Sequence, residues 1–143
     1  MDIEAEKRAV RRYYEEVLNG GNEGLLEELV APGYVEHDPF PGQGDGLQGL
    51  RERVGLLRSA FSPCLYTIKD VIAEGDRVVV RWRSVGTHSG SFVGLPPTGR
   101  DYTMAGIDIH RLARGRLAEH WHVVDQLALL QQLGVIPSLQ PTG

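Results

Sequence analysis

Cysteine is nearly absent from this chain. Cys64 is the only one in 143 residues, which excludes an internal disulfide and leaves no thiolate cluster for a metal. It follows Pro63, precedes an apolar strand and has no activating base beside it, so a small buried or half-buried thiol is expected rather than a nucleophile. An excess of positive charge is also missing: 15 Lys and Arg against 19 Asp and Glu leave a net charge of −4. With no basic stripe to neutralise phosphates, nucleic acid is not the expected partner. The cluster Arg8, Arg11, Arg12 is matched by Glu4, Glu6, Glu15 and Glu16 at helical spacing, as on a solvated helix face. Long apolar runs are absent, including at the N-terminus, so a cytoplasmic protein without a membrane segment is expected. No repeat or linker-like stretch divides residues 1–143, which are read as one domain with a substantial core.

The first half of the chain has helical periodicity. From Ile3 to Leu18, Ala5, Ala9, Val10, Tyr13, Tyr14 and Val17 recur at steps of three and four. Asn19-Gly20-Gly21-Asn22 supplies a stop tolerant of left-handed backbone. A short second helix carries Leu25, Leu26, Leu29 and Val30 and is closed by Pro32-Gly33. Tyr34 to Pro39 reads as extended, and Pro39 to Gly46 as a loop too rich in Pro and Gly to be helical. Asp45 and Gln48 form a candidate capping box for a third helix, whose stripe is Leu47, Leu50, Val54, Leu57 and Phe61 and which Pro63 ends.

The second half alternates. Leu65–Ala73, Arg77–Gly86, Tyr102–Leu112 and Leu117–Asp125 read as strands, with turns at Glu74-Gly75-Asp76 and Ala113 to Arg116. Thr87 to Gly99 is a long Pro- and Gly-containing loop with a short bridge at Ser91-Phe92, and Leu127 to Leu133 suits a terminal helix. Helices followed by an antiparallel meander predict an α+β fold. The expected form is a cone-shaped, curved, mostly antiparallel sheet wrapped around N-terminal helices and enclosing a pocket.

The final strand, Glu119-His120-Trp121-His122-Val123-Val124-Asp125, carries the densest chemistry. Alternation puts Glu119, Trp121, Val123 and Asp125 on one face and His120, His122 and Val124 on the other. Ionisable groups are costly to bury without partners, so one face is expected to line a cavity. His120 and His122 lack a third ligand of matching spacing; they are expected at an interface or an exposed face, with no metal. Asp125 stands where it either caps the terminal helix or lines the pocket. Asp108 and His110 share a face with Met104 opposite Ile107 and Ile109, which suits either a solvent face or a cavity wall. Trp82, Trp121 and Tyr14 suit core or pocket wall alike, and Phe40 and Phe92, in Pro/Gly loops, suit a cavity mouth.

Tyr13 to Asn19, Tyr34 to Pro39, Ala73 to Trp82, Gly86-Thr87-His88, Gly94 to Gly99, Gly106 to Arg111 and Glu119 to Asp125 together resemble the SnoaL-like polyketide cyclases, within the nuclear transport factor 2-like fold. The resemblance covers nearly the whole chain. It implies a cofactor-independent enzyme of antibiotic biosynthesis that closes a ring in a hydrophobic, oxygenated substrate by intramolecular aldol addition. In such cyclases an aspartate late in the final strand is the general acid/base, a position that Asp125 resembles, with His110 as its catalytic companion. Asp108, His110 and His37 match the family's polar pocket residues, and Trp121, Tyr14, Met104, Trp82 and Phe40, from their own placement, join Asp108 and His37 as candidate substrate-binding residues. Asp108 and His37 depart from the family pattern, which has Gln and Asn there. A small-molecule carrier, and an isomerase or epoxide hydrolase on the same fold, stay open as alternatives. Epoxide hydrolysis would need Asp108, Asp125 and an arginine to converge. Exposed apolar positions such as Ile107, Ile109 and Val124 suggest a homodimer.

Overall fold

The computed structural model describes residues 2–138. Helix α1 (Ile3–Arg12) begins at Asp2, whose carboxylate accepts the Ala5 N–H at 3.2 Å. It has Glu4 and Glu6 in its first turn and Arg11 and Arg12 in its last, charges that complement the helix dipole. It continues without a break into a wider π-helical segment, Tyr13–Asn19, and Gly21 turns the chain away at φ 74°. The widened turn lets Tyr13, Tyr14, Val17 and Leu18 all face inward and be buried.

After a short 3₁₀ turn and α2 (Leu26–Leu29), the chain departs from expectation. Val30 opens strand β1 (Val30–Glu36) instead of ending a helix, and Pro32-Gly33 lies inside that strand. Proline is tolerated because β1 is an edge strand and its register shifts between Val30 and Val35. Helix α3 (Gly46–Ala60) follows the loop, but the Asp45 side chain makes no capping hydrogen bond, so the expected capping box does not form. Phe61 belongs to the next strand rather than to the helical stripe.

Strands β2 (Phe61–Glu74), β3 (Arg77–His88), β4 (Asp101–Ala113) and β5 (Arg116–Val124) form an antiparallel meander, and β1 adds in parallel beside β5. The order β1-β5-β4-β3-β2 is an open, mostly antiparallel sheet. Two-residue turns join β2 to β3 through Gly75-Asp76 and β4 to β5 through Arg114-Gly115; both residues of the second turn have positive φ, as a type I′ hairpin requires. Phe92 and Leu95 bridge within the β3–β4 loop, and α4 (Gln126–Gln132) closes the described chain.

The helices cover one face of the sheet. Val10, Val17, Leu26, Leu50 and Val54 meet Val78, Val80 and Leu117 there, each at 1% exposure or less. The other face bears Leu65, Ile72, Val85, Ile107 and Val123, all exposed. No helix among the described residues is long and apolar enough to cross a membrane.

Candidate active site

Strand β4 presents Tyr102, Met104, Asp108, His110 and Leu112 to the helix-covered side, all buried, while Ile107 faces outward. The polar face of this strand is therefore the inner one. Strand β5 does the same with His120, which is 4% exposed, and with His122 and Val124, which border the cavity. The two strands place His110 directly opposite His120 and Asp108 opposite His122.

These residues form one hydrogen-bonded chain. The Tyr14 hydroxyl donates to Asp108 Oδ2 and lies 2.7 Å from His110 Nε2. A hydroxyl has one proton, so with Asp108 ionised the His110 Nε2–H donates to Tyr14. His110 Nδ1 is left buried without a partner. On the other side of Asp108, His120 Nε2 stands 3.3 Å from Oδ1, an ion-pair contact whose angle falls short of a good hydrogen bond. His120 Nδ1 donates to Glu36 Oε1 at 2.6 Å, and the same oxygen lies 3.5 Å from Arg53. Arg53, 6% exposed, also reaches the His122 ring at 3.2 Å and stacks over Phe40 at 4.1 Å.

Electrostatics assigns the charges. Burial pushes Asp108 upward, but the close ion-pair contact with His120, with help from His110 and Tyr14, holds it well below the usual carboxylate range. Burial pushes His120 downward, yet Asp108 and Glu36 outweigh it and raise its pKa to about 9. His110 goes the other way, to about 3, because it is buried and faces the His120 cation. Burial and the neighbouring charges of Arg53 and His120 lower His122 also. The cluster is thus an anion pair, Glu36 and Asp108, interleaved with a cation pair, His120 and Arg53.

The cavity beside Asp108 and His120 has a volume of about 50 Å³ and apolar walls that include Leu18, Leu57, Trp82, Met104 and Leu129. Phe40 and Phe92 meet edge to face at 5.7 Å across its outer side. Beyond them lies a second hollow of about 280 Å³, lined by Pro41, Val93, Leu95, Leu130 and Val135. Gly106 makes room for one wall, since a Cβ there would fall 2.4 Å from the Trp82 ring.

Of the residues singled out in the sequence, Asp108, Tyr14, Met104, Trp82 and Phe40 line this cavity, and His110 sits behind Tyr14. Asp125 does not join them. Its side chain is exposed and accepts the Ala128 N–H at 3.1 Å, capping α4, because strand alternation carries it to the outer face. Asp125 and Asp108 therefore do not converge. Trp121 lies on that outer face too, stacked on His37 at 4.4 Å with Arg77 over its ring, and His37 is held by Glu119 at 2.9 Å. Neither His37 nor Trp121 borders the cavity. His120 and His122, expected at an interface or exposed face, instead form its polar wall. Glu36 and Arg53 did not stand out in the sequence. A signal for Arg53 existed, since it breaks the apolar stripe Leu50, Val54, Leu57 from within.

Among the described residues, two sets of side chains have metal-ligand composition and spacing: Asp108, His110 and His120, and Glu36, His120 and His122. Each is bridged internally, the first by the Tyr14 hydroxyl and the second by the Arg53 guanidinium.

The chain matches other proteins along nearly its whole length. It is 30% identical over 130 residues to aklanonic acid methyl ester cyclase of Streptomyces peucetius, covering 87% of this chain and 88% of that one. Nogalonic acid methyl ester cyclase of Streptomyces nogalater is 29% identical over 119 residues, covering 82% and 89%. Among solved structures, TsrD from Streptomyces laurentii superposes with a TM-score of 0.87 at 27% identity, over 95% of this chain and 99% of that one. The family model described as SnoaL-like polyketide cyclase matches residues 8–133, and with helices, sheet and pocket all in place, this chain belongs to that family.

Proposed function

We propose that this protein closes a ring in a hydrophobic, oxygenated polyketide by intramolecular aldol addition, with Asp108 as general base and His120 as general acid. The observation that carries the proposal is the buried Asp108–His120 pair, 3.3 Å apart, at the wall of an otherwise apolar cavity. Kinship to cyclases of aklanonic and nogalonic acid methyl esters supports the substrate class.

Asp108 takes a proton from a carbon activated by flanking carbonyls. The enolate carbon attacks a second carbonyl of the same molecule, and the new alkoxide receives the His120 Nε2 proton. Asp108 then returns its proton to His120 across their contact. The substrate is isomerised, no electrons leave it, and neither metal nor organic cofactor is required. Asp108 is a weak base while His120 neutralises it. A substrate oxygen that draws His120 away returns the carboxylate toward ordinary basicity while its own developing charge is stabilised.

A polycyclic substrate exceeds the inner cavity, since small-molecule sites commonly span about 300–1,000 Å³. Phe40 and Phe92 therefore have to part so that the substrate occupies both hollows, its apolar body outside and its reacting carbonyls beside Asp108.

The test is turnover of aklanonic and nogalonic acid methyl esters by Asp108→Asn. A drop of at least about a hundredfold with binding retained is expected for a lost general base. Full activity in the variant would overturn the assignment. A carrier would bind the esters without turning them over in either form.

A further inference from the structure

Glu36 does not line the cavity, yet it holds the residue that does. It ends the edge strand β1, directly opposite His120 in the parallel pairing with β5. Its side chain is only 5% exposed. One oxygen takes the His120 Nδ1 hydrogen at 2.6 Å, and the other accepts the Asp38 N–H at 3.1 Å. Both are therefore fixed.

The geometry settles the protons on His120. Nδ1 faces one carboxylate oxygen and Nε2 faces another, so a neutral ring would set a lone pair against an anion on one side or the other. In a buried site that opposition is costly, and the ring avoids it by carrying both protons. The surroundings otherwise discourage a cation. His110 stacks against His120 at 4.8 Å from β4 and His122 at 5.3 Å from β5, and both are held neutral. Arg53 of α3 adds a positive charge nearby, while Tyr13 and Tyr14 supply only neutral hydroxyls. Two anions therefore balance two cations, and neither anion is spare.

We propose that Glu36 is a positioning residue that keeps His120 doubly protonated and turns its Nε2 edge toward Asp108 and the cavity. The catalytic meaning of this role rests on the acid–base pair proposed above. Without the Glu36 charge, His120 and Arg53 would share Asp108 alone, and His120 is the one of the two able to shed a proton.

The test is a titration of the full-length, isotope-labelled protein without substrate, following the His120 ring nitrogens by NMR from pH 5 to pH 10. In the unaltered protein both nitrogens are expected to stay protonated to about pH 9. In Glu36→Gln the midpoint should fall by roughly one to three pH units, the usual effect of removing an opposite charge in contact. Glu36→Asp keeps the charge and should hold the midpoint above that of a free histidine. A His120 that titrates near 6.5 in the unaltered protein, or a midpoint unmoved in Glu36→Gln, overturns the proposal. Should Glu36→Gln fail to fold, the unaltered protein and Glu36→Asp still decide it. Because no substrate is present, failure here leaves the cyclase assignment standing, and failure of the Asp108→Asn assay leaves this one standing.

Discussion

At the scale of single residues, one hydroxyl holds the site together. Tyr14 gives its only proton to Asp108 and takes one from His110, in a buried position at the cavity wall. Tyr14→Phe keeps the ring but strands both partners. It should lower stability by about 1–3 kcal/mol, the usual cost of leaving buried polar groups unsatisfied. Urea unfolding of the two proteins checks this, and equal midpoints would mean that the hydroxyl bridges nothing of consequence. Tyr14, Asp108 and His110 stood out in the sequence as candidates, because each interrupts or extends an apolar pattern, but that pattern left core or solvent face open against cavity wall. Their protonation was not legible there. It depends on His120 and Glu36, which lie 12 and 72 residues from Asp108 and meet it only through strand pairing.

At the scale of elements, β5 shows where a sequence pattern stops being decisive. Alternation separates His120, His122 and Val124 from Glu119, Trp121, Val123 and Asp125 without error. Which set faces inward is another matter, since each contains apolar and ionisable side chains. The inward choice follows from β4, whose buried Asp108 and His110 require the facing strand to present partners on the same side. Asp125 then falls at the N-terminus of α4 as its cap. Asp125→Ala should destabilise the protein by about 0.5–2 kcal/mol, whereas Asp125→Ser, which can still cap, should be nearly neutral. Neither change should alter the chemical step, as read by single-turnover cyclisation. Loss of that step in a stably folded Asp125→Ser protein would return Asp125 to the site. Strand β1 teaches a similar lesson: Pro32-Gly33 resembles a helix stop, but at a sheet edge with shifted register the same pair fits within a strand.

At the scale of the whole molecule, the buried charges set a pH window for stability. His120 has a folded pKa raised to about 9, so its contribution is complete below the unfolded value of 6.5 and is lost as pH rises toward 9. His110 is depressed to about 3, so its contribution is complete above 6.5 and is lost as pH falls. Asp108 and Glu36, both lowered, add to the loss on the acid side below their unfolded values. Thermal unfolding should therefore peak near pH 6.5 and fall on both sides; a melting temperature flat from pH 6.5 to 9 would contradict the charged state of His120. By itself the sequence determined the α+β class, the helical and strand stripes and the strand faces, because those follow from periodicity and turn chemistry within a few residues. Only the tertiary structure decided which face of β5 is inside, that Glu36 and Arg53 belong to the cluster, and that Asp108 rather than Asp125 meets the cavity. Those facts arise from pairing between distant segments, where burial and opposing charge, not local pattern, select the arrangement.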